Sequence, residues 1–327
     1  MRFTAEGLAA AYCVPIVLAC IVGGWLPRLL RLNHTRMQVA VSFVAGLILG
    51  VGLLHLLPHG YQELRSVDRI VRWALVGFLA MFFVERFFHF HHHDVPDEAD
   101  EPEPDAHDHH HDHAHHHDHS HPHDAAHHLH AHQHGLHVQA TTWMGTAFGM
   151  TLHSIIDGVA LAAAVSVESH HGHGAMLAGF GVFLAVLLHK PFDSLTISML
   201  MTTARCSARK RHLINTLYAL VVPLGVAMFF LGAGQLGDGY HQVLGATLGL
   251  AGGAFLCIAT SDLLPELQFH THDRFKLSMA LLVGVALAWG IIYFESSGHD
   301  QHGPPERHER HEHHQHHDHR DDPHHDH

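Results

Sequence analysis

The chain has 327 residues, 47% of them hydrophobic and 15% charged, and a formal charge of −13 when its 45 histidines are counted as neutral. Most acids and histidines sit in two segments, roughly Phe90 to His137 and His299 to His327, whose net charge depends strongly on pH; no nucleic-acid partner is expected. The four cysteines, Cys13, Cys20, Cys206 and Cys257, are scattered and lack CxxC spacing, which argues against a thiolate zinc finger and a disulfide scaffold.

Crossing a bilayer takes roughly 20 mainly apolar residues. Eight segments meet that length: 10–26, 37–58, 71–90, 139–167, 175–203, 213–233, 242–266 and 276–295. The first follows only a weakly charged leader and has no clear small-x-small cleavage site, so it is expected to be retained as a span. The runs do not alternate strictly, which favours helices over barrel strands. The expected fold is an all-α polytopic membrane protein of eight transmembrane helices. It divides into helices 1–3 over 1–90, a His-rich segment over 91–138, helices 4–8 over 139–296, and a His-rich tail over 297–327.

Basic residues set the expected orientation. With the N-terminus outside, the inner loops hold Arg28, Arg31, Arg36, Arg86, Arg205, Arg209, Lys210, Arg211, Arg274 and Lys276. The short outer segments hold Arg2, Arg65, Arg69 and Arg72, and the tail three more arginines. This asymmetry favours extracytoplasmic termini and a cytoplasmic His-rich loop; a plasma (inner) membrane location is expected.

The sequence also repeats. GLILGVGLLHLLPHG from Gly46 aligns without gaps on GAFLCIATSDLLPEL from Gly253, an offset of 207 residues. His55 falls on Asp262, Pro58 on Pro265 and His59 on Glu266; Leu75-Val76-Gly77 falls on Leu282-Val283-Gly284. An odd number of helices separates the copies, so they have opposite topology. The expectation is an inverted repeat, helices 1–3 against 6–8, around the pair formed by helices 4 and 5.

Polar residues in the fourth and fifth spans carry the chemistry. His153 and Asp157, and again His189 and Asp193, are four residues apart and so lie on one helical face. One such pair is explained by a His–Asp hydrogen bond between helices. Two pairs on consecutive helices favour mixed nitrogen and oxygen ligands for a divalent metal within the membrane. Pro191, between His189 and Asp193, removes an amide donor and kinks the helix. Lys190 needs a carboxylate at this depth, with Asp157, Asp193 and Glu266 as candidates. It either takes the place of a second cation or reaches for an interface. Ser154 and Glu266 are further candidate metal residues; a backbone bond and a helix cap are their ordinary alternatives. His55, His59 and Asp262 lie near the ends of the repeated helices, as pathway or entrance residues. The His tracts hold almost no large apolar side chains and are expected to be unfolded, binding several ions weakly.

These motifs together resemble the ZIP (Zrt/Irt-like) metal transporters, over all eight spans. HSIIDGVALAAA is similar to the family's fourth-helix pattern, LLHKPFDS to its fifth, and HLLPHG and DLLPEL to its second and seventh. The His-rich loop falls where the family keeps a variable cytosolic loop. The resemblance implies a transport site of His153, Asp157, His189 and Asp193, with a second position near Ser154, Lys190 and Glu266. Ser154 stands where the family usually has Asn, and Lys190 where it usually has a carboxylate, which implies one ion rather than two. It also implies zinc as transported substrate, with iron, manganese and cadmium as other candidates, movement into the cytoplasm, and no enzymatic activity or bound cofactor. A homodimer is compatible with such a chain. The rival readings are a cation diffusion facilitator, which usually has six spans and a cytosolic C-terminal domain, an intramembrane zinc hydrolase, and a membrane-anchored metal buffer.

Overall fold

A computed structural model describes residues 4–29, 34–88, 125–170, 177–233, 237–269 and 274–297, with some helix ends, notably 125–142 and 262–269, as backbone alone. Ten α-helices account for nearly all of them, and no strand occurs among the described residues. In chain order they are α1 (Ala5–Leu29), α2 (His34–Val51), α3 (Leu57–Leu64), α4 (Val67–Phe88), α5 (Ala125–His170), α6 (Phe180–Thr203), α7 (Ala208–Ala219), α8 (Val221–Ala233), α9 (Tyr240–Phe269) and α10 (Arg274–Ser297). A π-helical turn, Gly52–Leu56, joins α2 to α3 without ending the rod.

The ten helices make eight rods, in the order expected from the sequence. Seven are long and apolar enough to cross a membrane. The eighth, α4, has 22 residues, with Asp68, Arg69 and Arg72 at one end and Glu85 and Arg86 at the other. Large apolar side chains such as Leu18, Val22, Phe83 and Trp289 are exposed. On a polytopic helical protein that face meets lipid. The rest of the expected unfolded loop lies outside the described residues, but helical backbone begins at Ala125, well before the expected span start at 139.

Proline places the irregularities. The sixth rod breaks between α7 and α8 at Leu220. Pro223 follows three residues later and cannot donate to the Ala219 carbonyl. The π turn directly precedes Pro58. Pro191, by contrast, sits inside an uninterrupted α6.

Glycine sets the helix spacing. A Cβ on Gly46 of α2 would land on the Leu281 carbonyl of α10, and one on Gly284 of α10 on the Phe43 carbonyl of α2. On the other side, Gly253 of α9 faces the Ala74 carbonyl of α4, and Gly77 of α4 faces the Leu250 carbonyl of α9. Shifting either residue of one contact by 207 positions gives the matching contact in the other pair, with the chain order exchanged. Such small-residue seams hold membrane helices where hydrophobic burial supplies no drive. Gly46→Ala is therefore expected to push α2 from α10 and destabilise the protein by roughly 1–3 kcal/mol. Thermal melting in detergent checks this, and an unchanged melting temperature would show the seam to be loose.

The same device positions the middle of the bundle. Gly158 of α5 meets the Val222 carbonyl of α8, Gly225 of α8 meets the Ile155 carbonyl, and Gly23 of α1 meets the backbone of Pro191. The helices flanking α5 and α6 thus approach backbone to backbone beside Asp157 and Asp193.

Candidate metal centre

α5 and α6 bring the two His/Asp pairs to one point. His153 is 5% exposed, Asp157 0%, and His189 5%, so water contributes little to holding their polar atoms. The His189 Nδ1–H donates to the Ala185 carbonyl one turn back at 2.8 Å. That bond leaves Nε2 as the lone-pair nitrogen and aims it inward.

Four atoms converge: Nε2 of His153 and His189, and Oδ2 of Asp157 and Asp193. His153 Nε2 lies 3.3 Å from His189 Nε2, 3.3 Å from Asp157 Oδ2 and 3.6 Å from Asp193 Oδ2. His189 Nε2 lies 3.2 Å from Asp157 and 3.9 Å from Asp193. A tetrahedral zinc with bonds of about 2.0–2.1 Å has ligand–ligand edges of about 3.4 Å. These five distances bracket that value, and all four atoms lie within 4.8 Å of one another, close enough to share one ion. Asp157 Oδ1 is buried with no hydrogen-bond partner, an orphan acceptor in a site rich in negative charge.

Lys190 bridges the remaining edge. Its Nζ lies 2.5 Å from Asp157 Oδ2 and 2.7 Å from Asp193 Oδ2, and donates to Ser154 Oγ at 3.0 Å. The three ammonium hydrogens are thereby matched by three acceptors. Lys190 is 1% exposed, so it does not reach an interface; it belongs to the cluster. With neutral imidazoles, two carboxylates and one ammonium leave the site with one net negative charge.

Ser154 serves this arrangement as Lys190's partner, and its Oγ also lies 2.8 Å from both the Tyr218 hydroxyl and the Met150 carbonyl oxygen. Tyr218, on α7, donates to Asp193 Oδ2 at 3.1 Å and places its ring 5.9 Å from Lys190 Nζ. Asn215, one turn earlier, accepts a short hydrogen bond from Ser194 of α6. Neither Tyr218 nor Asn215 was among the sequence candidates. Their signal was faint: two polar residues three apart, on one face near the start of an apolar span. The side chains of Asp262 and Glu266 lie outside the described residues, so the structure brings neither to this cluster nor away from it.

His55 and His59 stand apart from the centre, with Glu168, a residue the sequence reading did not select. His55 Nε2 is 2.7 Å from Glu168 Oε1. Glu168 falls one residue beyond the expected end of the fourth span, where a carboxylate reads as an interfacial group. Here it is 3% exposed.

Fold and site together define an all-helical, polytopic membrane protein with a buried His/Asp set suited to one divalent cation. Comparison with known proteins narrows that class. A family model described as ZIP Zinc transporter matches residues 8–292. The chain belongs to the ZIP zinc transporter family. Zinc transporter ZIP1 of Homo sapiens is 27% identical over 149 residues, covering 45% of this chain and 43% of that protein. Zinc transporter ZIP9-B of Xenopus laevis is 25% identical over 302 residues, covering 79% of this chain and 85% of its own. Zinc transporter 3 of Arabidopsis thaliana is 21% identical over 306 residues, with coverages of 83% and 80%. The alignment with human ZIP1 thus spans less than half of that relative.

Proposed function

We propose that the chain carries Zn²⁺ across a membrane, one ion at a time, through the cluster of His153, Asp157, His189 and Asp193. The observation that carries the reading is the convergence of four borderline and hard donors, all within 4.8 Å of one another, at a buried point on two spanning helices. Two neutral imidazoles and two carboxylates compensate a dication that has shed its water. Lys190 acts as a built-in cation, taking up the negative charge that a second ion would otherwise require.

The matched glycine seams support an inverted-repeat carrier, in which one part of the bundle rocks against the other about the site. Packing is consistent with a conformation closed on one side. On α5, Ala160 through Val165 are fully buried, so the helix is tightly packed on that side of the site. The distribution of arginine and lysine supports extracytoplasmic termini, and inward movement across the plasma (inner) membrane is inferred from the family resemblance. In this reading the cytoplasmic His loop receives the ion and the tail gathers it outside. All four ligands come from one chain, so a homodimer would be an assembly of complete units.

The test is ⁶⁵Zn flux into proteoliposomes of the purified chain, with Fe²⁺, Mn²⁺ and Cd²⁺ as competitors. Saturable uptake, inhibited most by those ions that accept mixed imidazole and carboxylate ligands, is expected. Vesicles no more permeable to zinc than protein-free ones would sink the transport reading.

A further inference from the structure

We propose that His55, His59 and Glu168 form a second, distinct site for a divalent transition-metal ion, on the flank of the bundle where α5 ends and the α2–α3 rod bends. The assignment of that flank to the outer face, and of the site to cargo on its way in, rests on the transport reading above; the binding does not.

One ligand atom from each of the three residues lies within 4.8 Å of the other two. Glu168 and His55 are buried, and His59 is half-buried, so the group is shielded yet has one partly open side. Glu168 is eleven residues past Asp157 on α5, which places it about 16 Å along the helix from the centre. The two clusters therefore cannot share an ion.

Each ligand is held from behind. The Gly179 N–H donates to Glu168 Oε2 at 2.8 Å, fixing that oxygen and leaving Oε1 towards His55. Gly179 adopts a left-handed φ of 72°, a conformation glycine takes without cost, and it caps the start of α6. The His59 Nδ1–H donates to the His55 carbonyl at 2.9 Å, which makes Nε2 the lone-pair nitrogen of that ring. The His55 and His59 rings stand 4.6 Å apart, centroid to centroid. His55 lies within the π-helical turn, a distortion that re-aims side chains and occurs often at functional sites.

The donor set is two imidazoles and one carboxylate, the composition of three-ligand zinc sites that keep a fourth position for water. It suits zinc and its neighbours better than magnesium or calcium, which take oxygen. The 2.7 Å contact between His55 and Glu168 closes the site when no metal is present. An ion would spread this pair to about 3.4 Å, the edge of a tetrahedron with zinc-length bonds. One ligand comes from α5, which also carries His153 and Asp157, and two come from a rod outside the central pair. Occupancy would therefore respond to movement between these elements.

A simple interhelical lock of His55 on Glu168 predicts something different, and melting separates the two. Ions bound equally by folded and unfolded chain do not shift melting. In Asp157→Asn, which disables the centre, zinc is still expected to raise the melting temperature by at least about 2 °C at saturation. Adding Glu168→Gln, which keeps the acceptor for Gly179 and removes the charge, is expected to abolish that rise. Glu168→Gln alone is expected to raise the half-saturating zinc concentration for uptake at least about tenfold. No zinc-dependent rise in Asp157→Asn, or a rise that survives Glu168→Gln, overturns the proposal. Should Asp157→Asn fail to fold, the wild-type background serves: an unchanged zinc-dependent shift in Glu168→Gln overturns it there. Because melting needs no transport, a wild type that moves no zinc would defeat the transport reading and leave this site standing.

Discussion

Asp157→Asn is expected to lower zinc uptake into proteoliposomes by about a hundredfold or more, since even groups that merely orient metal ligands are worth 10–100-fold. Asp157 Oδ2 makes the shorter contacts of the two carboxylates, 3.3 Å to His153, 3.2 Å to His189 and 2.5 Å to Lys190. Asparagine keeps the volume and offers a neutral carbonyl. A dication stripped of water then faces one carboxylate and the ammonium of Lys190, with no net negative charge to hold it. The fold is expected to survive, because Asp193 still accepts from Lys190 at 2.7 Å. Uptake within about threefold of wild type would be too small an effect for a metal ligand and would place the ion elsewhere.

Lys190→Met is expected to have the opposite signature on binding. Removing the ammonium leaves two carboxylates at a buried site with no partner cation, and breaking a buried pair this way costs about 3–5 kcal/mol. The zinc-free variant should melt well below wild type. Zinc then supplies the missing charge, so the melting temperature should climb more steeply with zinc than it does for wild type. Affinity at the centre is expected to rise at least about tenfold, or about 1.4 kcal/mol. Transport should slow, because an ion held more tightly leaves less readily. Equal zinc-dependent stabilisation in the two proteins would show that Lys190 does not stand in for a cation.

Much of this arrangement was legible in the sequence, for physical reasons. Lipid demands long helices whose backbone bonds close internally, so all eight spans announced themselves by length and apolar content, and seven of the described helices are long and apolar enough to cross. The central His/Asp cluster was legible because ionisable side chains at that depth are costly, so two pairs at helical spacing are expected to meet. What the sequence could not supply was contact between distant segments. Tyr218 is 25 positions from Asp193 and His55 more than a hundred from Glu168, and nothing in local spacing relates them. That Lys190 does not reach for an interface could be read only from its burial between Asp157 and Asp193. The break at Leu220 and the π turn at Gly52 were likewise hidden, because Pro191 sits in an unbroken helix and proline alone does not say which response the backbone takes.

Zinc-edge anomalous diffraction from crystals of the full chain soaked in zinc tests the central claim most directly. The account predicts a peak about 2.0–2.1 Å from Nε2 of both His153 and His189, bridged to Asp157 and Asp193, and absent in Asp157→Asn. Zinc density confined to other parts of the molecule, with none within bonding distance of these four side chains, would contradict it.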